Sequence, residues 1–229
     1  MTHTPDHDGP VNPLPASVIV LVAAMALAEA VFTLGARGLV GGPGAVGWRS
    51  MAIQDYAFSN PAFIWMFDNG VFRIDYTLRL FTYPFVHASF THMLFAAVLT
   101  LALGKFVGER MNQWAVLVLF LASAALAAFT YALILPDAWG LIGAFPGVYG
   151  LIGGFTYLLW TRLKEVGAQQ MRAFSLIGVL LFLQLVFGLF FGTDTSWIAD
   201  LAGFCFGFLL SFVLVPGGWQ RLRAKLRHR

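Results

Sequence analysis

The chain of 229 residues is 59% hydrophobic and only 11% charged, whereas soluble domains carry about a quarter charged residues. A mean hydropathy of +0.77 excludes an ordinary water-soluble globule and predicts an integral membrane protein. The net charge of +3 comes from basic residues in loops and at the C-terminus, so membrane topology explains it better than a nucleic-acid partner. The single cysteine, Cys205, excludes an intrachain disulfide and any multi-cysteine metal site.

The first 15 residues are polar, contain four prolines, and lack lysine and arginine. This composition predicts a disordered N-terminal tail at 1–15. A secretory signal peptide would begin with a basic region and end at a small-residue cleavage site. Because neither feature is convincing here, we expect the first apolar segment to remain as a membrane anchor.

Six apolar segments follow, each long enough to cross the hydrocarbon layer as an α-helix. A long amphipathic stretch separates the first two segments, and the other connections are short. We therefore predict an all-α membrane protein, a six-transmembrane-helix bundle in one domain at 16–216 with a basic cytoplasmic tail at 217–229. The segments lie at about 15–36, 83–104, 113–135, 140–161, 172–192 and 196–215, and the amphipathic stretch at 37–82.

The distribution of lysine and arginine predicts the orientation, because cytoplasmic loops carry an excess of both. Ten of these residues fall on one side of the predicted membrane and four on the other, all four within the stretch 37–82. We therefore expect both termini in the cytoplasm, with a bacterial inner membrane as the location. The basic tail either contacts anionic lipid headgroups or, as we favour, is solvated.

Glycines recur at four-residue spacing in the fourth and sixth segments, which allows helix backbones to approach closely in lipid. We expect these segments to pack against each other. A homodimer face is the alternative, and the oligomeric state stays open. The pairs are Gly143 and Gly147, Gly150 and Gly154, and Gly203 and Gly207.

Three local patterns stand out: RLFTYPFVHASFTH at 79–92, GAFPGVYGLIG at 143–153, and ADLAGFCFG at 199–207. They fall in the second, fourth and sixth segments, and a Trp48-Arg49 pair lies in the long first loop. Their order, spacing and placement resemble the six-helix core of the rhomboid family of intramembrane serine proteases, over roughly residues 15–215.

The resemblance implies cleavage of a substrate helix by a Ser–His dyad, with the serine in a Gly-x-Ser-Gly motif and the histidine just before a Gly-Phe pair. It also implies an oxyanion hole formed with a histidine and an asparagine of the second span. By position, His87 and His92 match the two histidines of that span. The framework positions that match are Trp48, Arg49, Gly143, Gly147, Tyr149, Gly150, Gly203, Phe204 and Gly207.

The chain departs from the family at the reacting atoms. Phe145 stands at the serine position, Pro146 at the following glycine, Asp200 at the histidine and Ala96 at the asparagine. Acyl transfer needs an oxygen or sulfur nucleophile beside a base, and a phenyl ring has neither atom. A proline also lacks the backbone N–H that an oxyanion would use.

No substitute nucleophile is obvious in the fourth span, which holds no serine or cysteine. Thr156 and Thr161 are expected several turns from the reacting end, and no histidine is near Cys205 in the sequence. We therefore predict a catalytically degenerate pseudoprotease that contacts membrane lipids and binds transmembrane segments or other membrane clients without cleaving them.

Two alternatives are an active rhomboid serine endopeptidase and a membrane binding or transport protein that uses a polar cluster of His87, His92 and Asp200. Asp200 either forms a hydrogen bond with one of these histidines or lies near the watery end of its helix. We expect no metal and no cofactor, because histidines five residues apart do not share one helical stripe and Asp200 is the only attractive third ligand.

Overall fold

The computed structural model describes residues 13–191, 195–220 and 223, and this part of the chain is helical, without a β-strand. Most of the two predicted tails therefore lies outside the described residues. Three short 3₁₀ turns, Pro43–Gly47, Tyr83–Phe85 and Gln170–Phe174, join the longer helices. The α-helices of the described residues are α1 Ala16–Ala36, α2 Trp48–Tyr56, α3 Asn60–Asp68, α4 Ile74–Thr82, α5 Phe90–Arg110, α6 Gln113–Ile134, α7 Phe145–Glu165, α8 Ser175–Phe191 and α9 Trp197–Leu214.

Five helical segments within the described residues are long and apolar enough to cross a membrane. They are α1, α5, α6, the segment Gln170–Phe190 that contains most of α8, and α9. The chain is therefore a multi-pass helical membrane protein. Helix α7 has 21 residues but is not among the five, since its glycines, tyrosines, threonines and Arg162 lower its hydropathy. The sixth crossing stays a prediction.

Two predicted segments begin later in the structure than the sequence indicated. The second was placed from residue 83, but Tyr83–Phe85 is a 3₁₀ turn and α5 begins at Phe90, where the Ser89 hydroxyl accepts a hydrogen bond from the His92 N–H at 3.2 Å. The fourth was placed from residue 140. Gly140 and Gly143 have positive φ angles of 132° and 87°, which a right-handed helix does not accommodate, so α7 begins at Phe145.

The stretch 37–82 is folded as the three nine-residue helices α2, α3 and α4. Asn60, fully buried in this stretch, donates a hydrogen bond from Nδ2 to the Leu135 carbonyl at 2.8 Å, just beyond α6. Phe58 and Leu141 form an isolated antiparallel bridge that joins the end of α2 to the segment preceding α7. The stretch is thus tied by backbone and side-chain hydrogen bonds to the same region that carries the start of α7.

Helix α7 packs against α5, α6 and α9, and α6 and α9 also contact each other. A Cβ at Gly207 would collide with the backbone of Gly150, and one at Gly203 with the carbonyl of Pro146. A Cβ at Gly150 would in turn reach the Leu119 carbonyl of α6 at 2.6 Å. The glycines therefore allow the backbones to touch within the chain, as the spacing predicted.

Helix α8 is the most peripheral of the candidate spans. Only 12% of the most apolar stretch of this segment is buried, against 28% for the corresponding stretch of α1 and 44% for that of α6. Large side chains such as Leu185, Leu189 and Phe190 are between 71% and 80% exposed, as expected for a face that contacts lipid. The loose packing of α8 leaves a space between it and the α7–α9 pair.

Candidate functional site

This space is a cavity of about 1100 Å³, walled by the segment before α7, by α7 itself, by α8 and by the start of α9. Its lining is mostly apolar, with leucines from α8 on one side. His92, Phe145 and Asp200, three positions singled out from the sequence, all line it. The structure therefore brings the predicted site residues of the second, fourth and sixth segments to one place.

The phenyl ring of Phe145 stacks on the imidazole of His92. Their ring centroids are 5.3 Å apart and their planes differ by 14°. Phe145 is the first residue of α7, and His92 lies in the first turn of α5, so both rings stand at helix starts that face the cavity. At the position where the resemblance implies a nucleophilic oxygen, the site holds an aromatic face.

Gly143 packs directly against the His92 imidazole. The glycine has a φ of 87°, and its N–H donates to the Tyr83 carbonyl at 3.0 Å. A Cβ there would lie 2.5 Å from the His92 ring and 3.5 Å from that of His87. Both the positive φ and the contact require glycine, so this framework position keeps its local role beside the changed residues.

His87 lies behind His92 and does not line the cavity. The two rings meet edge to face with centroids 5.2 Å apart, and His87 is 1% exposed. Burial, followed by the positive charge on His92, lowers the pKa of His87 from 6.5 to about 4. His87 is consequently a neutral, buried ring in the folded protein at neutral pH.

Arg49 connects the long first loop to the His87 segment. Its guanidinium pairs with the Glu29 carboxylate at 2.6 Å and donates to the His87 carbonyl at 2.7 Å. The bonds to Glu29 raise the pKa of Arg49 above its ordinary value. Its neighbour Trp48 packs over Gly41, where a Cβ would collide with the indole ring. The Trp48-Arg49 pair therefore anchors the loop.

Glu29 is a functional-site neighbour that the sequence analysis missed. It is 2% exposed in the middle of α1, and its carboxylate also accepts a hydrogen bond from Thr33 at 2.9 Å. An acidic residue inside an apolar segment was the available signal, since such residues in membrane spans have a partner.

Asp200 is 4% exposed in the first turn of α9. The Gln184 amide of α8 donates to its Oδ2 at 2.8 Å, across the cavity wall. The sequence analysis considered only histidine partners for Asp200 and missed Gln184. The signal was a single polar residue within the apolar run of α8.

The asparagine-equivalent position, Ala96, is fully buried in α5 and does not line the cavity. Its carbonyl accepts a hydrogen bond from the Thr100 hydroxyl at 2.8 Å. A methyl group at this position supplies no hydrogen-bond donor for a developing oxyanion.

Among the described residues that line the cavity, Ser196 and Tyr149 carry hydroxyl groups. Ser196 precedes α9, and its carbonyl accepts the Asp200 N–H at 3.1 Å. Carboxylates are weak general bases for an alkyl hydroxyl, because an efficient base has a pKa near the working pH. Thr156, Thr161 and Cys205 are not among the described residues that line the cavity.

The described residues contain no group of three or more histidine, cysteine, aspartate or glutamate side chains placed to hold a metal ion. His92 and Asp200 both line the cavity. The His87 ring lies outside the lining and contacts the His92 ring. The described residues that line the cavity supply the His92 imidazole, the Asp200 carboxylate, the Gln184 amide and the hydroxyl-bearing Ser196 and Tyr149 in an apolar space.

Similarity to known proteins covers the part of the chain that forms the cavity. The profile of the family described as "Rhomboid domain" matches residues 75–217. A curated protein of Bacillus subtilis (strain 168), named "Putative rhomboid protease YdcA", is 26% identical over 137 residues, which cover 60% of this chain and 67% of that protein. The family match includes every cavity residue named above.

Proposed function

Because this chain belongs to the rhomboid family, we propose that it is a pseudoprotease that binds transmembrane segments of client proteins in the cavity between α7, α8 and α9 without cleaving them. The observation that carries the proposal is the stacked pair of Phe145 and His92. A ring lies where peptide-bond attack would begin in an active member of the family.

Three chemical requirements of cleavage are not met at the positions that the family resemblance implies, which supports binding without cleavage. Attack needs a nucleophilic atom, which Phe145 lacks. A base must take the proton from that nucleophile, and the position implied for the histidine holds Asp200, bonded to Gln184. An oxyanion needs donors, and Pro146 has no N–H while Ala96 has no polar side chain.

Binding of a helical segment is supported by the shape and chemistry of the cavity. Its volume of about 1100 Å³ and its leucine-rich wall suit apolar side chains of another helix. Helix α8, which forms that wall, is the least buried candidate span, so it is the element that a client displaces at least cost in packing.

The proposed topology has six membrane crossings, which are the five candidate spans and α7. Both termini lie in the cytoplasm of a bacterial cell. The asymmetry of lysine and arginine supports this orientation. Reporter fusions at the C-terminus and at the α6–α7 connection test it: the C-terminal fusion should report the cytoplasm and the connecting segment the opposite side.

Cleavage is tested on the purified full-length chain. It is incubated with a fluorescent transmembrane substrate of an active rhomboid and with a fluorophosphonate probe, beside that active enzyme as a positive control. We expect no fragment and no labelling. Specific cleavage that disappears in Ser196→Ala would overturn the proposal and identify the serine that lines the cavity as the nucleophile.

Client binding is detected with a photo-crosslinking amino acid at Leu181, which lines the cavity, and at Val98, which is 51% exposed on α5. The Leu181 position should crosslink the uncleaved substrate, and the Val98 position should capture mainly lipid. Equal capture from both positions would contradict binding in the cavity.

A further inference from the structure

A crevice between α1 and the stretch 37–82 has no part in the site described above. We propose that this crevice binds an acyl chain of a phospholipid and that Arg79 binds the phosphate of the same molecule. The described residues that line the crevice are all different from those that line the cavity between α7, α8 and α9. The inference is therefore independent of client binding and of cleavage.

The crevice has a volume of about 290 Å³ and a mostly apolar lining. Ala28 and Phe32 of α1 form one wall, Ala52 and Tyr56 of α2 form another, and Thr82 and the 3₁₀ turn after it form the rest. The Thr82 hydroxyl already donates to the Tyr56 carbonyl at 3.0 Å. A volume near the lower limit of ligand pockets, with few polar groups, suits a flexible hydrocarbon chain better than a polar metabolite.

This crevice opens toward lipid. Leu27 and Val31, which precede the two lining residues of α1, are 68% and 48% exposed on a helix that is long and apolar enough to cross a membrane. Tyr56 on the facing wall is 52% exposed. An unfilled gap forfeits dispersion contacts for the atoms that line it, so an acyl chain that enters from the surrounding lipid recovers them.

Arg79 is a cation without a carboxylate partner. Arg49 pairs with Glu29 and Arg73 with Asp75, whereas Arg79 forms no ion pair within the described residues. Its Nε is buried and finds no acceptor in that part of the chain, and its Nη1 makes only a long bond of 3.4 Å to a backbone carbonyl. An anionic acceptor would remove the desolvation cost of the buried donor, and a phosphate matches the fork of a guanidinium.

Arg79 lies beside the crevice. The carbonyl that its Nη1 reaches belongs to Ala57, the residue after Tyr56 of the lining. Thr82, three residues further along α4, lines the crevice itself, and residues three apart are neighbours on the surface of a helix. The cation and the apolar lining therefore meet where α2 and α4 end, as a phosphate and its acyl chain meet in one lipid molecule.

Helix α4 has the character of a helix at the membrane surface. Ile74, Leu78 and Phe81 follow each other at helical spacing and are 73%, 52% and 46% exposed, and the helix has no buried residue. A helix of this kind lies with its apolar face at the acyl boundary and its cations among the headgroups. This arrangement places Arg79 at the depth of lipid phosphates.

Photo-crosslinking tests the site on the purified full-length protein in detergent micelles. The probe is phosphatidylglycerol with a photoreactive diazirine on one acyl chain, and mass spectrometry locates the adducts after irradiation. Unlabelled competitors separate the two parts of the ligand. Phosphatidylglycerol and phosphatidylcholine carry phosphate and chains, diacylglycerol carries chains alone, and inorganic phosphate carries the anion alone.

We expect the adducts to concentrate on the lining segments of α1 and α2. Phosphatidylglycerol and phosphatidylcholine should both compete, because each carries both parts of the ligand. Diacylglycerol should compete about fivefold less well, which is the contribution of one cation near a lipid surface. Inorganic phosphate should not compete, because it cannot fill the crevice.

Two pairs of variants test the two parts of the site. Arg79→Gln should reduce the affinity for the probe about fivefold, while Arg110→Gln, which removes a cation at the far end of α5, should retain it. Ala28→Leu fills the crevice and should remove most of the labelling of α2. Ala26→Leu adds the same side chain at an exposed position of α1 and should leave the labelling unchanged.

The labelling pattern distinguishes a lipid site from general solvation by lipid. Adducts spread evenly over the exposed helices, and unchanged in Arg79→Gln and Ala28→Leu, would overturn the proposal. Equal competition by diacylglycerol and phosphatidylglycerol would contradict phosphate binding at Arg79. Competition by inorganic phosphate would show an anion site without an acyl chain. If Arg79→Gln fails to fold, Ala28→Leu and the competitors still decide the outcome.

Discussion

The imidazole of His92 and the phenyl ring of Phe145 stack with centroids 5.3 Å apart and planes 14° from parallel. The pair joins the start of α5 to the start of α7, and both rings face the cavity. Such ring pairs contribute about 0.5–1.5 kcal/mol beyond burial. A position that would supply a nucleophile in a cleaving relative here supplies a contact that holds the two helix starts together.

Restoring the reacting atoms should create a protease from a zero baseline. The triple variant Phe145→Ser, Pro146→Gly and Asp200→His supplies the nucleophile, the backbone donor and the imidazole base on the existing framework. We expect weak but measurable cleavage of a fluorescent transmembrane substrate and fluorophosphonate labelling.

The matched control for this gain carries Phe145→Ala with the same changes at Pro146 and Asp200, because it frees the space without adding a hydroxyl. It should stay inactive. Activity in the alanine control would contradict the assignment of position 145 as the nucleophile position and direct attention to Ser196.

The close approach of α7 and α9 predicts a large cost for one methyl group. A Cβ at Gly207 would collide with the backbone of Gly150, so Gly207→Ala should lower the free energy of unfolding by about 1–3 kcal/mol. Gly178→Ala is the control, since a Cβ at that exposed position of α8 meets nothing within 4 Å. Unfolding in mixed micelles measures both. Equal stability of the two variants would contradict the close backbone contact.

Much of the helical arrangement could be predicted from the sequence, because apolar runs of about 20 residues have few alternatives in a membrane. The exact helix starts could not. The apolar pattern extends back through the 3₁₀ turn at Tyr83 and through Gly140 and Gly143, but the helices begin only after these residues. Hydropathy carries no information on the positive φ angles of the two glycines.

The site was predictable in its positions and not in its contacts. His92, Phe145 and Asp200 were identified by their place in three patterns, and the structure brings all three to one cavity. Gln184 belongs to no pattern, so its bond to Asp200 follows only from how α8 sits beside α9. Side-chain partners across separate helices depend on tertiary packing, which sequence spacing does not specify.

The ion pair of the buried Glu29 carboxylate with the partly exposed Arg49 guanidinium predicts a strong asymmetry between single and double substitutions. Arg49→Ala leaves the Glu29 carboxylate, 2% exposed, without its cation, which should cost about 3–5 kcal/mol in the free energy of unfolding. Removing both side chains should recover most of that loss, apart from the bond to the His87 carbonyl. A double-mutant cycle measured by unfolding in mixed micelles gives the coupling.

Arg73→Ala is the control for this cycle, because the Arg73–Asp75 pair is about half exposed and solvent screens it. It should leave stability unchanged within error. A loss in Arg73→Ala equal to that in Arg49→Ala would show that the effect comes from surface charge and not from the buried carboxylate.

The burial of His87 predicts that the folded protein loses stability in mild acid. Its pKa falls from 6.5 to about 4 on folding, so between these values the unfolded chain binds a proton that the folded chain does not. Stability is therefore full above about pH 6.5 and declines as the pH falls toward 4, by about 3 kcal/mol at most from this group. The free energy of unfolding, measured from pH 7.5 to 4.5, should fall less steeply in His87→Asn than in the natural chain. Both chains share every other titrating group, so the difference in slope comes from His87 together with its coupling to His92, and parallel profiles would contradict a neutral, buried ring at this position.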